Sequence, residues 1–522
     1  MTYMKKNLIA AAVATALYVP VAAMATNGMN LEGYGPEAAA MGGASMAYDN
    51  GTAAVMNNPA TIGMMESDSR LDVALGSLGP DVKSTNTSGS ADSSATAFYM
   101  PAIGWARKTG KLTYGVGMFG QGGMGAEYDG GSSVDQSGAA GISLGGALPN
   151  SDSHTQRSEL GVGRFIVPLA FNVNDKLTIG GSVDYVWGGL DILWSMDSRN
   201  FLGGLDGSKI NDGGTGKAVA LGTMVGSQNN RSRISGTLVD TFVQNFDTTG
   251  GVGTPNGAFN NFYWGHFDFS NGSRFTQATF GSGFAGKLGF TYKVNKQFAI
   301  GGTYHLKTAM SDFTGDIDMS FKVDTTSLAG SQTGAVIPVT GEVKVKDFQW
   351  PATLGLGAAF QATDKLLIAA DWKQLKWSDV MKDFHMVITA DSTQANPLAG
   401  GFAGTVLDFV YPQDWKDQNV IQLGMAYKAT DAVTLRAGYN HASNPVPDDY
   451  VSFLFPATIE NHITLGLGYM ISKESSIDFS LTHAPEVKVT ESTTETNNLG
   501  ATPATTITHS QTNWQVMYSR LF

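Results

Sequence analysis

The sequence predicts an all-β fold, a transmembrane antiparallel β-barrel of about 14 strands, with a small helical hatch at the N-terminus plugging its lumen. Three observations carry this. Short polar turns recur along the chain, the segments flanking them alternate apolar with small or polar residues, and the composition is glycine-rich and weakly charged. Gly supplies 65 of 522 residues and charged residues only 15%, while Cys is absent, which excludes a disulfide scaffold. A net charge of -12 argues against a nucleic-acid partner, whose phosphates demand a basic surface.

Lys5 and Lys6 precede an apolar run from Leu8 to about Val21, and Ala23-Met24-Ala25 supplies a small-residue cleavage site. Residues 1–25 therefore read as a secretory signal, and the mature chain is expected to start at Thr26. No later stretch reaches the ~18 to 20 uninterrupted apolar residues that a spanning helix needs, so a membrane crossing has to be made by strands.

Residues 26–68 do not alternate like a strand. Pro36 opens an Ala-rich run, Asn50-Gly51 precedes a second, and Asn58-Pro59 ends it, because the residue before proline is pushed out of the helical region. Short helices of small residues and Met fill tight, irregular space. A barrel too wide for its own side chains to fill needs such a plug, so 26–68 is assigned to the hatch and 69–522 to the barrel.

From Leu71 onward the turns Lys108-Thr-Gly-Lys111, Val173-Asn-Asp-Lys176, Val294-Asn-Lys-Gln297, Ala362-Thr-Asp-Lys365, Ala429-Thr-Asp-Ala432 and Ser472-Lys-Glu-Ser475 are each short enough to join antiparallel neighbours. After them, Leu177, Ile179, Val183 and Tyr185 oppose Thr178, Ser182 and Asp184. Ile300, Tyr304 and Leu306 oppose Thr303, His305 and Lys307, and Leu435 and Tyr439 oppose Arg436 and Asn440. Runs of about ten residues with Tyr or Trp near one end suit a tilted bilayer-crossing strand better than a sandwich strand of about five or six. Six hairpins, one strand before them and one after give the even number. The connections on the opposite rim are long: Gln121 to Gln156, Asp191 to Gly281, Ala309 to Lys344, Val380 to Gln418, and Ser84 to Ser94. The chain ends on "WQVMYSRLF", an aromatic C-terminus whose face is interrupted by Arg520.

The segments "EGYGPEAAAMGGASMAYDNGTAAVMNNPA", "QWPATLGLGAAFQATDKLLIAADWKQLKWSD" and "LGMAYKATDAVTLRAGYNHASNPVPDD" resemble the FadL/OmpP1/TodX outer-membrane transporters of long-chain fatty acids and other hydrophobic compounds. The resemblance runs from about Asn27 to Phe522. It implies that Asn58, Pro59 and Ala60 occupy the family's NPA positions in the hatch. It further implies capture on the extracellular side and sideways release through a gap at a kinked third strand. That strand is expected over Lys111 to Gly130, which holds Gly115, Gly117, Gly120, Gly122, Gly123 and Gly125. Glycine inside a strand marks a bulge or a close backbone approach, as a gap in a hydrogen-bonded wall requires.

Enzyme-like matches are weak. Gly115-Val-Gly117-Met-Phe-Gly120 satisfies a dinucleotide pattern but lies within an expected strand, and Gly141-Ile-Ser143-Leu-Gly145 satisfies a nucleophile-elbow pattern with no helix after it. The eight histidines show no metal-ligand spacing, so no metal, cofactor or catalytic centre is expected. Alternation turns Arg164, Lys307, Lys373 and Arg436 inward, where each either meets a fatty-acid carboxylate or pairs with a lumen acid such as Asp184 or Asp371. The expected function is passive uptake of a long-chain fatty acid or another hydrophobic small molecule. A general porin or surface-binding barrel is the alternative. A monomer is expected in the outer membrane of a Gram-negative bacterium, surrounded by lipid and lipopolysaccharide and inserted by the barrel-assembly machinery.

Overall fold

The computed structural model describes residues 27–522 apart from 87, 136–140, 144–145, 149–150, 198–232, 239–240, 242–258, 274–275, 326–331, 492–495, 498–499 and 502–503. The expected signal segment thus lies outside the described residues. Strands β1 (Ser69–Leu78), β2 (Phe98–Thr109), β3 (Leu112–Tyr128), β4 (Gln156–Asn172), β5 (Leu177–Asp197), β6 (Gly281–Lys293) and β7 (Phe298–His305) make one half of a wall. The other half is β8 (Thr353–Thr363), β9 (Leu366–Leu375), β10 (Gln418–Lys428), β11 (Val433–Ala442), β12 (Asn461–Ser472), β13 (Ser475–Thr490) and β14 (Thr506–Leu521). Each pairs antiparallel with the next, and β14 pairs with β1 from Arg70–Leu521 to Ser77–Trp514, so the 14-stranded barrel is closed.

The near-identical turns have one local cause. Asn174 Oδ1 accepts from the N–H groups of Lys176 and Leu177, both at 2.9 Å, and Asn295 does the same for Gln297 and Phe298. Thr363 and Thr430 use their hydroxyls in the same way. A short polar side chain after the strand thus closes the reversal on itself. Tyr114, Tyr292, Tyr427, Tyr469 and Tyr518 stand exposed near this rim as an aromatic girdle, below outward apolar residues such as Val183, Leu288 and Leu465. Arg520 sits at the same rim, paired with Glu474 at 2.8 Å and lying over the Phe522 ring.

At the opposite rim the structure departs from the expectation of long loops. The strands Phe259–Phe269, Phe313–Thr325, Gln332–Lys346, Asp383–Ala390 and Val406–Pro412 continue the ladder outward from the end of β5 as a second tier. Their alternation is regular: Ile317, Met319, Phe321 and Val323 are buried, while Asp318, Ser320 and Lys322 lie between them. The residues Gly141–Ser143 pair as a small hairpin with Gly146–Leu148 rather than turning into a helix.

Residues 27–64 fill the lumen, almost all buried. Their helices are short, α1 (Pro36–Ala39) and α2 (Ala54–Asn57), followed by a 3-10 turn at Pro59–Met64. They reach the wall because inward positions are glycine. A Cβ at Gly180 would come within 2.7 Å of Ala60, and one at Gly424 would collide with Met41. Since the strands of the wall pair with one another round the barrel, with this segment adding a backbone bridge at Asn30–Gly122, removal of residues 26–64 is expected to leave a heat-modifiable barrel with a raised ion conductance. Planar-bilayer recordings check this, and a conductance equal to that of the intact chain would remove the plug.

Candidate functional site

Asn58 caps the 3-10 turn, its Oδ1 accepting from Ala60 N–H at 3.1 Å. Its Nδ2 donates to Met46 O inside the plug (2.8 Å) and to Phe290 O of β6 (3.0 Å). Pro59 and Ala60 lie against Gly180 and Gly289 of β5 and β6. One asparagine therefore ends a helix, staples two parts of the inner segment and ties them to the wall.

Charge holds the other side. Glu37 of α1 accepts from Arg70 of β1 and Arg436 of β11, both at 3.1 Å. Each arginine also pairs with a wall acid, Asp72 at 2.8 Å and Asp478 at 2.7 Å. Asp72 Oδ2 in turn accepts from the N–H and hydroxyl of Thr52, and Asp371 Oδ2 from the N–H groups of Ser45 (2.6 Å) and Met46 (3.0 Å). Burial pushes the Asp49 carboxyl in the plug upward, against the pull of Arg70, and burial likewise raises the Tyr34 phenol, which stays neutral.

The four inward cations are brought together only in part. Arg164 pairs with Asp184 at 2.8 Å, and Lys287, which sequence reasoning did not single out, joins the same carboxylate. Lys373 lies two residues from Asp371 on β9, its Nζ 3.4 Å from Gly43 O, and Arg436 is in the clasp on Glu37. Lys307 differs from the expected inward placement. Alternation ends at His305, which bonds Asn57 O at 2.9 Å, and Lys307 lies beyond the end of β7, exposed.

The glycine cluster lies in β3. Residues β2 and β3 share pair from Thr109–Leu112 only up to Ile103–Met118. Beyond that, Phe98 to Ala102 stay paired to β1, while β3 stays paired to β4 with Gln121 bulged out between Gly120 and Gly122. The two edges rejoin where Ser94 N–H donates to Glu127 O at 2.7 Å. The plug takes over at the bulge: Gly123 N–H donates to Met29 O at 3.0 Å, and Gln121 Nε2 donates to Tyr34 Oη (2.8 Å) and Asn30 Oδ1 (2.7 Å). Gly122 has φ +153°, and a Cβ there would collide with Met29 O.

Two largely apolar hollows lie in the structure. One lies behind the unpaired edges, between Leu31, Tyr34 and Ala53 of the plug and Met100, Ile103 and Phe119 of the wall, with Thr52, Asp72 and Gln515 also in its lining. The other lies in the outer tier and is lined only by apolar side chains, among them Trp194, Phe267, Met386 and Phe409. Trp350, Trp377 and Trp415 stack edge to face at 5.6 and 5.4 Å, and Trp350 packs on Gly122. These tryptophans and Gln121 were not marked by sequence reasoning. Each stands alone in a polar connection or a glycine run, with no period to flag it.

A family model described as outer membrane protein transport protein (OMPP1/FadL/TodX) matches residues 11–519. A 47 kDa outer membrane protein of Pasteurella multocida is 23% identical over 209 residues, which is 38% of this chain and 43% of that protein, so the match spans less than half of that relative. An uncharacterized protein in the phosphoenolpyruvate carboxykinase gene 5' region of Chlorobium limicola is 50% identical over 78 residues, 15% of this chain and 38% of that one. Among solved structures, the P. putida toluene transporter TodX is 29% identical with a TM-score of 0.71, covering 94% of this chain and 99% of that one. The Ralstonia pickettii toluene transporter TbuX is 28% identical with a TM-score of 0.66, at 94% and 99% coverage. A Pseudomonas aeruginosa FadL homologue, 15% identical over 95% of this chain and 100% of that one with a TM-score of 0.62, shares the fold.

The Glu37 clasp yields a test of how the plug is held. In Glu37→Gln each arginine keeps its wall acid, so the barrel should fold normally, while the plug loses charge-assisted hydrogen bonds worth about 1.5 to 3 kcal/mol each. Brief open-channel bursts in planar bilayers should become roughly a hundredfold or more as frequent, by the rule of about 1.4 kcal/mol per factor of ten. A closed baseline indistinguishable from wild type would show that the clasp does not hold the segment in place.

Proposed function

We propose, from the premise that the chain belongs to the OMPP1/FadL/TodX family of outer-membrane transport proteins, that its path is suited to compact neutral hydrocarbons rather than to fatty acids. The observation that carries this is the state of the lumen cations. Arg164 and Arg436 are committed to acids, Lys373 lies beside the Asp371 carboxylate and Gly43 O, and Lys307 lies beyond the end of β7, exposed. A carboxylate head group would have to displace an existing partner in a buried site, leaving that acid unpaired at a cost of about 3 to 5 kcal/mol. An uncharged ring has no such cost to meet. Both apolar hollows suit it, and the toluene transporters named above are consistent with it.

The route follows from the same geometry. A hydrocarbon is captured in the outer-tier hollow, passes the tryptophan stack, and reaches the hollow behind β1, β2 and β3. There it leaves sideways between the unpaired edges of β2 and β3, with Asn58, Pro59 and Ala60 anchoring the hatch that closes the way to the periplasm. Each methylene kept out of water is worth about 0.8 kcal/mol, so exit into the bilayer is favoured over exit into the aqueous periplasm. The transfer is passive and non-enzymatic on this reading. An open general porin is disfavoured by the filled lumen.

Two measurements test it. Cells expressing the protein should take up labelled toluene faster than control cells and show no matching gain for labelled oleate; a gain confined to oleate would reverse the substrate assignment. Replacing Gly120, Gly122 and Gly123 together with Val should favour regular strand and push Met29 away from the bulge. Toluene uptake at equal surface expression should then fall roughly tenfold, about 1.4 kcal/mol of added barrier. Undiminished uptake would point to the periplasmic route past a displaced hatch.

A further inference from the structure

A second group of buried side chains lies away from the β2–β3 edges, on the wall formed by β11 to β14, which also carries the Arg436–Asp478 pair. Registers place Asn440 opposite His462, and Ala484 opposite Gln511, in one inward-facing row, with Thr482 opposite Asn513 in the next. The connection between β11 and β12 dips inward over this row, burying Leu454, Phe455, Ala457, Thr458 and Ile459. His462, His509, Asn513 and Thr458 are each 1% exposed or less. His462 Nε2, Asn513 Nδ2 and Thr458 Oγ1 have no hydrogen-bond partner, and His509 Nε2 has none in hydrogen-bond geometry, with the Gln511 side chain beside its ring.

Their polarity can be assigned atom by atom. His509 Nδ1 lies 2.9 Å from the carbonyl oxygen of Pro456, which can only accept, so Nδ1 carries the proton and in the neutral ring Nε2 presents a lone pair. Asn440 donates its Nδ2 to Gly42 O at 3.1 Å, so its Oδ1 faces His462 Nδ1 at 3.3 Å and fixes the same tautomer there. Asn513 Oδ1 already accepts from Gly79 N–H (3.2 Å) and from Gln511 Nε2 (2.8 Å), which leaves Nδ2 as a donor. The wall therefore offers two acceptors, one amide donor and one hydroxyl, with no formal charge in the group. Ala484, between His462 and Gln511, is the smallest side chain of its row.

We infer that this wall is a subsite for hydrophobic compounds bearing a hydroxyl group, alcohols or phenols, an inference that rests on the transport reading proposed above. A hydroxyl donates to an imidazole Nε2 and accepts from Asn513 Nδ2, while its apolar body lies against Phe455 and Ile459. A carboxylate has no proton to donate and faces two lone pairs, so it is rejected. A plain arene leaves the buried polar atoms unmet, and sites built to bond a hydroxyl discriminate strongly against analogues that lack one.

The test uses the full-length protein purified in detergent, with equilibrium dialysis of benzyl alcohol, toluene and benzoate measured separately. Benzyl alcohol should bind at least roughly tenfold tighter than toluene, and benzoate weakest. His462→Phe and His509→Phe should each abolish the preference for the alcohol while leaving toluene affinity within about twofold, and His462→Gln, which keeps an acceptor, should retain part of it. Should a histidine variant fail to show heat-modifiable folding, Asn513→Leu, which removes the donor alone, serves in its place. Equal affinity of wild type for benzyl alcohol and toluene, or a preference that survives in the folded variants, overturns the subsite. Absence of toluene binding and uptake would instead overturn the hydrocarbon reading, because the alcohol is scored on its own isotherm.

Discussion

Hydrocarbon offers no hydrogen-bond partner, so a β-structure within a membrane must satisfy its own N–H and C=O groups, and that constraint organises the rest of this molecule. It requires closure, which β14 meets by pairing with β1. It also means that any break in the ladder must be compensated locally. Where β2 and β3 part above Ile103–Met118, β2 still pairs with β1 and β3 with β4, and the plug supplies Met29 O to Gly123 N–H at the bulge. The break is therefore held open by the inner segment as much as by the glycine content of β3.

That arrangement couples two features which the sequence presents forty or more residues apart. Gln121 is the extra residue of the bulge, and its amide is held by Tyr34 and Asn30 of the plug. Gly122 lets the plug backbone approach, and Trp350 packs on the same face of that glycine. A shift of the plug thus has to change the shape of β3. On the proposed route, the element that closes the periplasmic path is also the one that shapes the sideways exit.

The wall was legible in the sequence because membrane strands repeat two simple rules, period-two alternation and a self-closing Asn or Thr turn. Both survive without tertiary context: Asn174 and Thr363 bond to their own backbone neighbours. The outer tier was not recognised, although Phe313 to Thr325 alternates just as regularly, because long connections were expected at that rim and its strands have no short polar turn to mark them. Inward direction was readable for Arg164 and Arg436, but what they meet was not. Their partners Asp184 and Glu37 lie 20 and 399 residues away, and only the closed barrel brings them within reach. Lys307 illustrates the limit of alternation, which says nothing once the strand has ended.

The same closure decides what kind of ligand the lumen can select. Fourteen inward-facing strands offer more polar positions than a hydrophobic solute can use, and a buried charge left alone is far more costly than one that is paired. Here that surplus goes into holding the plug: Glu37, Asp72 and Asp371 each bond the inner segment to the wall, and Asn440, Thr464 and Gln422 bond its carbonyls. Once the charges are committed in this way, discrimination between ligands falls to shape in the apolar hollows and to the few neutral polar atoms that the plug does not reach. Selectivity in this barrel is in that sense a by-product of how the plug is fastened, since each wall residue that anchors it is one fewer that can recognise a charged solute.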